Sequence, residues 1–286
     1  MLRKGDLTQG GITTTLLQFT LPMLAGSLLQ QCYNIADTLI VGQCIGANAL
    51  AAVGSAYTLM VFLISILLGL SMGSGTVFSL QYGAEDLSAL RRSIYVSLLL
   101  IGTVTILLNV AVFLWLDPIL RWLQVPYDIY SLMRNYLWII FWGIVFTFLY
   151  NFYAALLRAV GDSVTPLWFL AVSVVLNIGL DLFLILVLDQ GIEGAAVATV
   201  IAQGTAASGI LLYTYKTRPE LRLHREDMCF DRSSLREITS FSTLTCVQQS
   251  VMNFGILMVQ GLVNSFGTVV MAAFAAAVKI DSFAYM

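Results

Sequence analysis

Charge is scarce in this chain. Only 10% of its 286 residues are Asp, Glu, Lys or Arg, while 59% are hydrophobic. A soluble domain carries about a quarter charged residues, so this balance excludes a soluble globular fold and indicates a polytopic membrane protein. Cysteine is scarce too. The four present, Cys32, Cys44, Cys229 and Cys246, form no Cys-x-x-Cys pair. They fit neither a disulfide framework nor a zinc site and are read as packing residues. There is one histidine, His224, and it lies in a polar stretch. Gly69-Leu70-Ser71-Met72-Gly73 spells the nucleophile-elbow pattern Gly-x-Ser-x-Gly, but it sits inside an apolar run with no strand before it and no histidine to pair with its serine. Its glycines are better read as sites of close helix packing. An enzyme reading is therefore set aside, and no cofactor is called for. A cleavable signal peptide is not expected either, because the first apolar run continues for a full membrane thickness.

Long hydrophobic runs are what the chain does have. Seven reach the ~20 residues that cross a bilayer: Leu16–Val41, Ala51–Leu80, Ile94–Leu116, Tyr130–Leu157, Pro166–Leu188, Ile192–Tyr213 and Ile238–Phe266. An eighth opens near Val269 and stops at Met286, so the chain reads as part of a longer protein. The expected fold is all-α: a six-helix amino lobe over residues 1–215, a cytoplasmic linker over 216–237, and the start of a second lobe over 238–286. Eleven Lys and Arg residues flank one side of these runs, against Arg121 and Arg134 on the other. The positive-inside rule then places the amino terminus in the cytoplasm. A faint echo crosses the linker. Gly46 with Ala51-Ala52 resembles Gly267 with Ala272-Ala273, and Gln30-Gln31 with Asn34 resembles Gln248-Gln249 with Asn253. Both blocks start from the same side, which describes a parallel repeat of two six-helix halves, a known transporter plan.

Two acids interrupt the apolar runs. Asp37 is the only charge between Asp6 and Glu85, and Asp181 the only one between Asp162 and Asp189. An acid in a membrane span costs a few kcal/mol on insertion scales, so its default reading is an ion or proton relay facing a wet cavity. At ~1.5 Å per residue, Asp37 lies roughly 6 Å, and Asp181 and Thr199 about 10 Å, below the outer ends of their spans. Asn177 shares a helix face with Asp181, and Asn34 with Asp37. Asp37, Asn177, Asp181 and Thr199 thus form a candidate cluster of oxygen donors for H⁺ or Na⁺, with no other metal site. The bland alternative is that each Asp bonds a neighbouring amide and only packs helices. Gln30, Tyr33, Asn34, Tyr136, Asn151 and Gln203 are candidate cavity lining, and Pro22 a candidate hinge.

These pieces resemble the multidrug and toxic compound extrusion family. The matching segments are Pro22 with Gln30-Gln31-Cys32-Tyr33-Asn34-Ile35-Ala36-Asp37-Thr38, then Gln81-Tyr82-Gly83-Ala84 with Arg91-Arg92. They continue with Leu157-Arg158-Ala159-Val160-Gly161-Asp162 and Thr165-Pro166, Asn177 with Asp181, and Ala277-Val278-Lys279-Ile280-Asp281. The resemblance covers essentially the whole chain and implies twelve helices in two lobes, with export of organic cations and drugs against inward H⁺ or Na⁺. In the branch similar to DNA-damage-inducible protein F it implies an amino-lobe cation site, which maps onto Asp37, Asn177, Asp181 and Thr199. The seventh run carries no charge, only Gln248, Gln249 and Gln260 among its longer polar side chains, which favours that branch. The runner-up is a lipid or polysaccharide flippase of the same superfamily. It needs a cationic cavity, whereas the only arginine in these runs is Arg134, at an edge. A bilayer, cationic small molecules and the coupling ion are the expected partners, with no nucleic acid. A monomer in the inner (plasma) membrane is expected.

Overall fold

A computed structural model describes residues 12–228 and 231–284, and among them every regular element is helical. The helices are α1 (Ile12–Cys44), α2 (Ala47–Gly83), α3 (Leu87–Trp122), α4 (Tyr127–Trp142), α5 (Ile144–Ala159), α6 (Val164–Leu182), α7 (Gly191–Thr217), α8 (Arg232–Asn264) and α9 (Thr268–Ala284). The run expected as one span over Tyr130–Leu157 is a bent pair, α4 and α5, meeting at 47° around Gly143. α6 passes straight into a π-helical turn, Phe183–Val187.

Among the described residues, five helices are long and apolar enough to cross a membrane: α2, α3, α6 with its π turn, α7 and α8; the bent pair makes a sixth. α1, expected as the first of seven, does not reach the same standard. Its 33 residues give about 50 Å of helix, but Gln18, Gln30, Gln31, Asn34 and Asp37 dilute its apolar content. α1 runs unbroken through Pro22. Lys279 and Asp281 fall within α9, but their side chains lie outside the described residues, as does Cys229.

α2 is the hub, touching α1, α3, α4, α5, α8 and α9. Lipid tails are as apolar as leucine, so packing within a bilayer comes from close fit and polar contacts rather than from escape from water. The composition of α2 suits this, with Ala49, Ala51, Ala52, Ser55 and Ala56 all buried. Its longest seam is with α8. A Cβ placed on Gly73 would stand 2.3 Å from the Ser242 Cα, and one on Gly69 would stand 2.5 Å from the Cys246 Cα. The two backbones therefore touch in a way only glycine permits. Elsewhere the apolar surface faces outward: Leu114 is 70% exposed, Val175 73% and Leu244 75%, as side chains facing hydrocarbon are.

The turns are short. Gly46 (φ 118°) and Gly267 (φ 91°) adopt the left-handed region just before α2 and α9, where a side chain would be strained. The two glycines of the sequence echo therefore make the same kind of connection. At the opposite end of the bundle, Asp162 accepts from the Thr165 N–H (3.0 Å) and hydroxyl (2.8 Å) and pairs with Arg218 (3.3 Å). The Arg-Ala-Val-Gly-Asp segment thereby ties α6 to the linker. Arg91 of α3 holds the linker's Asp227 at 3.0 Å. Burial pushes that carboxyl up, but the His224 N–H and the Arg91 charge outweigh it and leave it below its usual range.

Candidate functional site

Four helices, α1, α5, α6 and α7, surround a cavity of about 110 Å³. α6 contributes Ser173 and Asn177, four residues apart on the face that also carries Asp181. α7 contributes Thr199, Ala202, Gln203 and Ala206; α5 contributes Thr147, Tyr150 and Asn151; α1 contributes Gln30 and Tyr33. Each set follows the three- and four-residue spacing that stacks side chains on one helix face.

Asp181 is fully buried. The Asn177 amide is oriented with its nitrogen towards it, donating to Asp181 Oδ2 at 2.8 Å while its oxygen accepts from the Thr199 N–H at 3.2 Å. The reverse orientation sets two acceptors face to face. The Thr199 hydroxyl lies 3.3 Å from the same amide and 3.4 Å from the Tyr33 hydroxyl. Asp37 is half-buried one turn beyond Tyr33, near enough that its charge acts on both Tyr33 and Asp181. The other Asp181 oxygen, Oδ1, is buried without a hydrogen-bond partner among the described residues. Buried polar atoms are nearly always paired, and a carboxylate left unpaired away from water is costly. A proton on that oxygen, or a hard cation against it, relieves the cost.

The structure thus brings Tyr33, Asn177, Asp181 and Thr199 together, with Asp37 alongside, and lines the adjoining cavity with Gln30, Asn151 and Gln203. Two expected lining residues fall elsewhere. Tyr136 is buried outside this cavity but near enough to Asp37, Tyr33 and Asp181 for their charges to act on it, and Asn34 donates to Gln31 at 3.0 Å without reaching the cavity. Others were missed. Ser173 precedes Asn177 by four, and Thr147, which bonds Gln203, precedes Asn151 by four; extending each helix face by one turn finds both. The π turn immediately after Asp181 leaves no sequence signal, yet such bulges frequently mark functional sites.

The model of the family described as MatE matches residues 22–183. A probable multidrug resistance protein, YpnP, of Bacillus subtilis (strain 168) is 34% identical over 97% of this chain and 62% of its own length. This chain belongs to the MatE family. Members of that family are transporters, not enzymes. The multidrug export protein MepA of Staphylococcus aureus (strain NCTC 8325 / PS 47) is 27% identical over 94% of the chain and 59% of its own length. Among solved structures, the MATE multidrug transporter DinF-BH superposes with a TM-score of 0.90. It is 25% identical and is covered over 63% of its length by 99% of this chain. The chain therefore spans about three fifths of the relatives it matches.

Proposed function

We propose that this chain forms the ion-coupling half of a secondary antiporter that exports organic cations in exchange for H⁺ or Na⁺ by alternating access. The observation that carries the reading is Asp181, buried, with one oxygen held by Asn177 and the other unpaired, beside Thr199 and Asp37. A coupling site needs a carboxylate whose charge must be neutralised before it can be enclosed, and a neighbouring cavity whose occupant competes for that charge. The amide- and aromatic-lined space next to it, with Tyr33 and Tyr150 for ring contact, suits a flat organic cation. The relatives' names as multidrug proteins point the same way, and nothing among them supports a flippase. Arg and Lys placement supports a cytoplasmic linker end of the bundle, and the inner (plasma) membrane is the proposed location.

Asp181→Asn and Asp37→Asn test the reading in the full-length protein. Each should abolish efflux of a cationic dye driven by a pH or Na⁺ gradient in proteoliposomes, with melting temperature unchanged or raised because a buried charge is gone. Wild-type efflux in the Asp181 variant would sink the coupling role.

A further inference from the structure

A second cavity, of about 170 Å³, lies between α1, α5 and the start of α6, at the linker end of the bundle. It shares Gln30, Tyr150, Asn151 and Leu170 with the cavity beside Asp181, so the two adjoin. Its electrostatic character is the reverse. The wall holds Arg158 and no acid. Among the described residues the ion pairs engage Arg91, Arg134, Arg218 and His224, and Arg158 takes part in none. Asp162, four residues on, is committed to Arg218 and Thr165. Two further donors on the wall, the Ser27 hydroxyl and the Gln30 amide, form no hydrogen bond with any described group, whereas the Tyr150 and Ser163 hydroxyls are spent on the carbonyls of Pro166 and Phe19.

A half-buried guanidinium with two uncommitted neutral donors around an open space is a receptor for an anion. Its level in the bundle narrows the choice. Arg158 is one residue from the end of α5, and Ser163 immediately precedes α6, so the charged end of the cavity sits where the spanning helices end. Lipid phosphates lie at that height, and basic pockets between helix ends on the cytoplasmic side take phosphate headgroups. The planar guanidinium matches two oxygens of a phosphate at once. The space amounts to several waters at ~30 Å³ each, enough for a polyatomic anion.

We infer that the Arg158 cavity binds a phosphate group, with the Ser27 hydroxyl and the Gln30 amide completing its donor set. The site is separate from the cation cluster at Asp181 and does not depend on its role.

The test uses full-length protein purified in maltoside, titrated with phosphatidylglycerol, with phosphatidylcholine and with inorganic phosphate, reading melting temperature and native-mass adducts. Saturable phosphatidylglycerol binding is expected, weakened roughly 10- to 100-fold by Arg158→Gln, as loss of a charge-assisted hydrogen bond predicts. Arg236→Gln, at an exposed arginine at the start of α8, should leave it unchanged. Competition by inorganic phosphate assigns recognition to the phosphate itself; its failure to compete assigns the site to a lipid-borne phosphodiester. If Arg158→Gln does not fold, Arg158→Lys, which keeps the charge but loses the fork, should bind with intermediate affinity, and Ser27→Leu should block the cavity. Wild-type affinity in a folded Arg158→Gln, wild-type affinity in both Arg158→Lys and Ser27→Leu where it does not fold, or no saturable binding of either phosphatidylglycerol or inorganic phosphate overturns the proposal.

Discussion

The α2–α8 seam and the cavity beside Asp181 are built from the same side chains and put them to opposite use. Both rely on serine, threonine, asparagine and glutamine between apolar helices. Where Ser55 and Thr58 of α2 meet Gln260 and Asn264 of α8, each is answered. Asn264 donates to the Ser55 hydroxyl (3.0 Å) and the Leu123 carbonyl (2.8 Å), accepts from Gln260 (2.8 Å), and Gln260 in turn accepts from Thr58 (3.1 Å). In the cavity, Gln30 has no partner among the described groups and one oxygen of Asp181 is unpaired. A satisfied polar network specifies a unique packing, while an unsatisfied one in a wet space is available to a ligand. Residue type alone does not separate the two; the neighbours do.

The largest effect is expected where the seam has no give. Gly73→Leu drives a side chain into the Ser242 backbone, and no rotamer of a neighbour can relieve a clash with main-chain atoms. Overpacking costs ~1–3 kcal/mol where side chains yield, so here more than about 3 kcal/mol is expected, seen as loss of the monodisperse peak in size exclusion. Gly83→Leu, in the same helix with open space around it, is the matched control. Equal behaviour of the two variants would show that the seam is not a rigid contact.

A paired substitution sharpens the contrast at intermediate size. Asn264→Leu strands Ser55, the Leu123 carbonyl and Gln260 together. It should lower stability by about 1–2 kcal/mol, between the usual worth of a hydrogen bond in a membrane protein and the full penalty for unpaired buried groups. The order of preferred dyes should not change. Asn151→Ala, on the cavity wall, should do the reverse: a small change in melting temperature and a reordered dye preference in efflux assays. If both variants shift stability alone, the cavity is packing and not a binding surface.

Much of this was legible before any coordinates. Runs of apolar residues gave the helices, because a bilayer demands continuous backbone hydrogen bonding over a fixed thickness. Asp37 and Asp181 stood out because a charge there is expensive, and Gly69 and Gly73 were rightly read as close packing rather than chemistry. The break at Gly143 was not legible, since the apolar run passes through it without a polar residue. Nor was the seam network, because Gln260 and Asn264 look like any amides until the α2 side chains opposite them are known. Gln30 and Tyr33 were legible as cavity lining from their place in the first apolar run, and packing of α1 against α6 and α7 puts both on the cavity wall.

The smallest predicted effect is at the root of the seam, where α8 begins. Asp231 caps the helix, its carboxylate accepting from the Ser233 and Ser234 N–H groups at 3.0 and 3.4 Å and from both hydroxyls at 2.8 Å. Those bonds favour the charged form and hold the carboxyl down to about 2. A depressed folded-state pKa contributes stability that is present above the unfolded value of roughly 4 and is lost as pH falls towards the folded value. The cap should therefore be intact at neutral pH and fail only between about pH 4 and pH 2. Asp231→Ala should expose the first-turn amides of α8 to faster hydrogen exchange at neutral pH, while Asp231→Asn, still an acceptor, should retain most of their protection. Both variants should leave the Ser55–Asn264 end of the seam as protected as in wild type, since that end is held by its own network at the far end of α8. Loss of protection along the whole helix in Asp231→Ala would mean that the seam is one cooperative unit, and that its two ends cannot be perturbed separately.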